Sequence, residues 1–167
     1  ILNHTGNVFG YEHDATPSWN GHEFPVAGWR DAAGHASLPF VSPAAGAGEG
    51  DAVWPREFQS AAAFTRKGKI RSWDYDPEYL DGDFESLKDV HLGRGDIDTY
   101  EPSPALVALA AVYKYWIAYA DLDGFRVDTV KHMDPGAARY FASVIHEFAQ
   151  SLGKENFYLI GEITGGR

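Results

Sequence analysis

The chain has 167 residues, enough for one modest core but short of the roughly 250 that a closed eight-stranded α/β barrel occupies. Its 14 Lys and Arg against 24 Asp and Glu give a net charge of −10, which disfavours nucleic acid and anionic membrane as partners and leaves a neutral sugar polymer unaffected. With no cysteine, disulfides and thiolate metal sites are excluded and localisation stays unread; no apolar run approaches the roughly 20 residues that span a bilayer, and an aromatic content of 14% permits sugar stacking and core packing alike.

Ile1-Leu2 reads as the tail of a strand with Asn3-His4 at its mouth. From Thr5 to Pro102 the sequence is dense in Gly, Pro, Asp and isolated aromatics without a sustained helical period. A structureless loop of that length is rare, so residues 5–102 are expected to form an inserted subdomain with short strands. Within it, residues 42–50 have the composition of a mobile surface loop, 70–75 suit a short strand, and 76–79 suit a turn or single helical turn. Ser103-Pro104 signals a helix start, a hydroxyl cap followed by a proline whose missing N–H costs nothing in the first turn. Leu106, Leu109, Tyr113, Trp116, Ile117 and Ala120 then recur at helical spacing and predict one inward face, ending near Asp121.

Asp123-Gly124 turns the chain into a strand in which Phe125 and Val127 alternate with polar neighbours and which ends at Asp128. Asp134-Pro135 repeats the cap signal, with Ala138, Phe141, Ile145, Phe148 and Leu152 as the next inward face and Gly153 as a stop. Residues 157–160 are an almost unbroken apolar run, predicted as a strand buried on both faces and closed by Glu162. Strand, helix, strand is the crossover that a parallel sheet requires, so Asp128 and Glu162 are expected on one rim, at the carboxyl ends of neighbouring strands. That rim is where α/β barrels and open α/β sheets place their chemistry.

These residues also carry a resemblance. Gly124-Phe125-Arg126-Val127-Asp128-Thr129-Val130-Lys131-His132 resembles the second signature region of the α-amylase family of glycoside hydrolases, and Leu159-Ile160-Gly161-Glu162 resembles the third. Ile1-Leu2-Asn3-His4 resembles the end of the first, and residues 84–90 are more loosely similar to a short signature near the end of the family's inserted subdomain. The resemblance implies an α/β fold, part of a TIM (β/α)8 barrel covering its strand 3 to strand 5 region. Residues 1–4 would end strand 3, residues 5–102 would be the subdomain inserted after it, and residues 103–167 would supply helix 3, strand 4, helix 4 and strand 5. It also implies an incomplete catalytic domain. The family's first-region Asp would stand two residues before Ile1, and the His-Asp pair bearing its third carboxylate would lie downstream.

Breaking a glycosidic bond needs an acid to protonate the departing oxygen and a carboxylate to meet the oxocarbenium-like centre. Asp128 suits the nucleophile and Glu162 the acid/base of a retaining double displacement, two acids given two roles by environment. Arg126, two residues before Asp128 and so on the same strand face, suits a guanidinium that keeps the nucleophile ionised. The resemblance assigns the same catalytic roles and implies substrate contacts for His4, Arg126, Lys131 and His132, on α-glucosidic bonds of starch-like or maltooligosaccharide substrates. It further implies a structural Ca²⁺ on the Asn3 side chain, the Asp89 carboxylate and the His132 carbonyl, a hard-donor set. Alternatively Asn3 and Asp89 tie the insertion down by hydrogen bonds alone. No organic cofactor and no zinc are expected, since His13, His22, His35 and His91 lack ligand spacing.

Three other readings compete. Glycosyl transfer, including sucrose- or trehalose-acting members, shares the covalent intermediate. A non-catalytic amylase-like binding protein is disfavoured by the presence of both acids. An unrelated barrel using strand-end acids as Mg²⁺ ligands would show three acidic strand ends and a separate base, which Lys131-His132 does not replace.

Overall fold

A computed structural model of the chain describes residues 1–13, 17–30 and 55–165; the loop expected at 42–50 lies outside them. The chain divides into two units, Asn3–His91 and a second made of Ile1–Leu2 with Leu92–Arg167. The unit that overlaps the insertion expected at 5–102 runs from Asn3 to His91. The reason for these bounds is local pairing: β1 (His4–Thr5) bonds antiparallel to β4 (Lys88–Asp89), which draws the first residues into that unit. At the other end, the Ser103 amide donates to the Leu92 carbonyl, which ties the last residues to the helix that follows.

In the Asn3–His91 unit, β2 (Phe9–Tyr11) pairs antiparallel with β3 (Val26–Trp29). Their inward rings meet Phe64, which stands edge to face with Phe9, Trp29 and Phe58 at 5.1, 6.4 and 6.0 Å. Beside this aromatic core lies a buried polar one. Asp83 accepts from the Tyr11 hydroxyl at 2.7 Å, the Lys88 ammonium at 3.0 Å and the Asp89 amide at 2.9 Å. The Lys88 ammonium also faces the Phe9 and Tyr11 rings, 4.9 and 4.2 Å from their centroids. Residues 70–75 are irregular where a short strand was expected. The buried Glu78 carboxylate takes the amides of Arg71 and Ser72, so this backbone turns to a side chain in place of a strand partner. The expected helical turn is present as α1 (Glu78–Asp81).

The second unit opens with the short pair β5 (Gly93–Arg94) and β6 (Glu101–Pro102). Helix α2 (Pro104–Ala120) follows, and the Ser103 hydroxyl accepts from the Leu106 amide at 3.1 Å. β7 (Gly124–Val127), α3 (Pro135–Ser151) and β8 (Tyr158–Gly161) then form a strand, helix, strand crossover. β7 and β8 are parallel, in register from Gly124↔Tyr158 to Val127↔Gly161. Gly124 is required by this pairing, because a Cβ there would stand 2.6 Å from the Tyr158 carbonyl oxygen. No helix among the described residues is long and apolar enough to cross a membrane.

The helix faces are narrower than the sequence pattern suggests. Leu106, Ala110 and Ile117 of α2 are buried, and Tyr113 meets Phe125 and Phe141 edge to face at 5.3 and 5.4 Å. Trp116 and Ala120, expected inward, are exposed; Trp116 clusters instead with Tyr115 and Tyr119 on the outer flank. On α3, Phe141 and Ile145 are buried, Ala138 and Phe148 half-buried, and Leu152 exposed just beyond the helix end. The strand expected to be buried on both faces is also corrected. Tyr158 and Ile160 are exposed and Leu159 half-buried, because among the described residues the parallel sheet has two strands and β8 pairs on one side only. The strand 3 end expected at residues 1–4 is not a barrel strand here, since His4–Thr5 pairs antiparallel and Ile1-Leu2 is outside any strand.

Candidate active site

Parallel pairing in register places Asp128, one residue past β7, and Glu162, one residue past β8, at the same end of the sheet. The ladder continues to both acids, with the Glu162 amide donating to the Val127 carbonyl at 2.9 Å. Arg126 lies within β7, and the strand period of two puts its side chain on the Asp128 face. Its guanidinium forks across the pair, with Nη1 3.1 Å from Asp128 Oδ1 and Nη2 2.7 Å from Glu162 Oε1. The acid side chains are 28% and 32% exposed, open enough for a ligand to reach them.

The Glu162 side chain also hydrogen-bonds the Asp128 carboxyl. That bond, followed by the Arg126 guanidinium, holds Asp128 below the usual aspartate range against the opposing effect of desolvation. The arrangement favours an ionised carboxylate at the end of β7.

Lys131 and His132 follow on a 3₁₀ turn, Val130–His132, directly after Asp128 and Thr129. His132 is buried, while Lys131 is half-buried with its ammonium 3.2 Å from the point a Cβ on Gly165 would take. Asn3, His4 and Asp89 lie together in the other unit. The His4 ring stacks on Phe84 at 3.7 Å, with Nε2 3.2 Å from the Gly82 carbonyl and 3.7 Å from Asp89 Oδ1. Asn3, one residue before β1, and Asp89, in β4, are both buried, and the Val90 amide donates to the Asn3 carbonyl at 2.7 Å. As neighbouring hard oxygen donors, the Asn3 side chain and the Asp89 carboxylate fit the chemistry of Ca²⁺. The third donor named from sequence, the His132 carbonyl, belongs to the other unit. Among the described residues, no three or more His, Asp or Glu side chains gather as a metal cluster.

Two groups of residues escaped the sequence reading. Asp83, Lys88 and Tyr11 form their network across long separations that no local pattern announces. Thr129 adopts a left-handed backbone, φ 59° and ψ 30°, which a β-branched residue type gives no reason to expect.

The fold and site define a mixed α/β chain with an arginine-bridged acid pair at the carboxyl ends of adjacent parallel strands. The chain is related to the α-amylase family of glycoside hydrolases. It is 29% identical over 82 residues to an α-amylase of Streptomyces lividans, covering 49% of this chain and 8% of that protein. It is 26% identical over 102 residues to a cyclomaltodextrin glucanotransferase of Klebsiella oxytoca, covering 61% of this chain and 14% of that protein. Among solved structures it is similar to the α-amylase of Geobacillus thermoleovorans in complex with acarbose, at a TM-score of 0.51 and 25% identity over 62% of this chain and 20% of that one. An Anoxybacillus α-amylase gives a TM-score of 0.51 and 28% identity over 63% and 20% of the two chains. The chain therefore spans a small part of the length of each relative. No protein-family model matches it.

Proposed function

We propose that the site cleaves α-glucosidic bonds of starch-like glucans or maltooligosaccharides with retention of configuration. The observation that carries this is the Arg126 guanidinium joining Asp128 and Glu162 at the ends of neighbouring parallel strands. In the first step the ionised Asp128 carboxylate attacks the anomeric carbon, while Glu162 delivers its proton to the departing glycosidic oxygen. In the second step Glu162, now a carboxylate, removes a proton from water as that water displaces Asp128 from the sugar. Lys131 and His132 sit one turn past the nucleophile, which supports sugar contacts for them; the burial of the His4 ring argues for a supporting role there.

Turnover of an α-glucoside with a good leaving group, followed by polarimetry or NMR of the first-formed anomer, tests this reading. A product of inverted configuration would refute the retaining mechanism. The likeness to a glucanotransferase favours a second reading, transfer of the glucosyl group from Asp128 to an acceptor sugar in place of water. Longer oligosaccharides accumulating from maltooligosaccharide substrates would mark that outcome.

The depressed Asp128 carboxyl gives the pH dependence a definite sign. Asp128 works as an anion, so its depressed pKa carries activity to lower pH, and the acidic limb of kcat/KM appears where Asp128 takes up a proton. Arg126 is one cause of the depression. Arg126→Met is therefore expected to move that limb to higher pH, as well as lowering kcat/KM. A limb that stays in place while kcat/KM falls would confine Arg126 to binding.

We further propose that Ca²⁺, held by the Asn3 side-chain oxygen and the Asp89 carboxylate, acts on stability and not on bond cleavage. Binding to the native state alone stabilises by about 2.7 kcal/mol when free ligand is about 100 times the dissociation constant. Wild type is expected to melt several degrees lower in chelator than in Ca²⁺, and Asp89→Ala to lose most of that difference. Equal melting of wild type in both would leave Asn3 and Asp89 with hydrogen bonding only.

A further inference from the structure

The β7–β8 ladder carries one residue too many on the β7 side. In a regular parallel ladder, the residue whose amide donates to Val127 accepts at its own carbonyl from the amide two positions further on, which is Thr129. Glu162 does donate to the Val127 carbonyl, at 2.9 Å, but its carbonyl accepts from Val130 at 3.1 Å. Thr129 is skipped. It is a bulge residue in the left-handed region, where glycine is usual and a β-branched side chain is costly.

Three contacts hold the bulge. The Thr129 hydroxyl donates to the Asp128 carbonyl at 2.7 Å, and the Thr129 carbonyl accepts from the His132 amide at 2.9 Å. On the facing strand, a Cβ on Gly161 would stand 3.1 Å from a Val130 methyl, so the chain beyond Thr129 is seated over a bare α-carbon. Asp128 meanwhile stays on the Arg126 face, 3.1 Å from Nη1. The extra residue is thus where the chain leaves the sheet, one position after Asp128 and one before Val130, whose amide bonds the Glu162 carbonyl.

We propose that Thr129 is a positioning residue, whose left-handed bulge sets the spacing between the Asp128 and Glu162 carboxyls. The proposal rests on the glycosidase reading of that pair and concerns what holds it. Strain kept at this point is compatible with function because the surrounding bonds over-determine it.

The test compares Thr129→Val with Thr129→Gly in the protein that carries this sequence. Valine keeps the branched shape, loses the hydroxyl and disfavours the left-handed turn, whereas glycine takes that turn freely. Thr129→Val is expected to lower kcat at least about tenfold with KM within about twofold, because small misplacements of reacting groups are costly in the transition state. Its Asp128 carboxyl, followed by carbon-13 NMR, should titrate at higher pH than in wild type. Thr129→Gly should restore most of kcat and the wild-type titration.

Wild-type kcat and titration in Thr129→Val would overturn the proposal. So would a Thr129→Gly variant as impaired as Thr129→Val, which would assign the effect to the hydroxyl. Should Thr129→Val fail to fold, Gly161→Ala perturbs the same bulge from β8, and unchanged kcat and titration in it would be equally fatal. Failure of the glycosidase reading would appear separately, as turnover that survives Asp128→Asn, and the titration judges Thr129 without any turnover.

Discussion

Asp128→Asn is expected to lower kcat on α-glucosides by on the order of 10³-fold or more, the scale of losing a nucleophile that acts as one unit with its partners. The amide has the shape of the carboxylate and none of its nucleophilicity. Arg126 keeps Glu162 as a partner at 2.7 Å, so the strand ends remain tied. The lost ion pair is largely exposed, and such pairs contribute about 0–1 kcal/mol, so melting should change little. Glu162→Gln should depend on the leaving group. A glycosidic oxygen needs the proton, and its cleavage is expected to slow by about 10² to 10⁴-fold, the range of general acid catalysis. An activated aryl glucoside needs no proton to depart, so formation of its covalent intermediate should suffer far less. Wild-type rates in Asp128→Asn would remove it as nucleophile. Equal losses on both substrates in Glu162→Gln would remove Glu162 as the acid.

What was legible in the sequence was whatever depends on neighbours along the chain. Ser103-Pro104 announced a helix start because the hydroxyl and the missing N–H both act within one turn, and the structure shows the Ser103 hydroxyl on the Leu106 amide. Gly124 to Asp128 and the run before Glu162 read as strands joined by a helix, and they form a parallel pair. The burial of β8 was misread because an apolar run reports what a strand can bury, and Tyr158 and Ile160 find no second strand among the described residues. Trp116 fell on the inward spacing of α2, yet the stripe that meets α3 and β7 runs through Leu106, Ala110, Tyr113 and Ile117. Within the site, Asp128, Glu162 and Arg126 follow from strand period and parallel register. Thr129 does not, because its importance lies in a backbone angle that its side chain disfavours.

Lys88→Met is expected to destabilise the fold by about 3–5 kcal/mol, the cost of leaving one member of a buried ion pair without its counter-charge. Asp83 is 1% exposed and Lys88 4%, so water cannot stand in for either. Burial first, and then the Arg30 charge, push the Lys88 pKa down, and the facing Asp83 carboxylate opposes that shift, with the Phe9 and Tyr11 rings beside the ammonium. In Lys88→Met the Asp83 carboxylate keeps the Tyr11 hydroxyl and the Asp89 amide but has lost the ammonium that it pairs with at 3.0 Å. For a chain of 167 residues, about 2–4 °C per kcal/mol converts the loss to a fall in melting temperature on the order of 10 °C. Asp83→Asn/Lys88→Met removes both charges while keeping a polar group for Tyr11 and the Asp89 amide. It should recover part of the loss, since no charge is then stranded. Urea unfolding of the two variants and wild type measures all three values. A Lys88→Met variant within about 1 kcal/mol of wild type, the worth of an exposed pair, would mean that the pair contributes no more than a surface one. A double variant less stable than Lys88→Met would show that the hydrogen bonds to the Asp83 carboxylate, and not its charge balance, hold this part of the core.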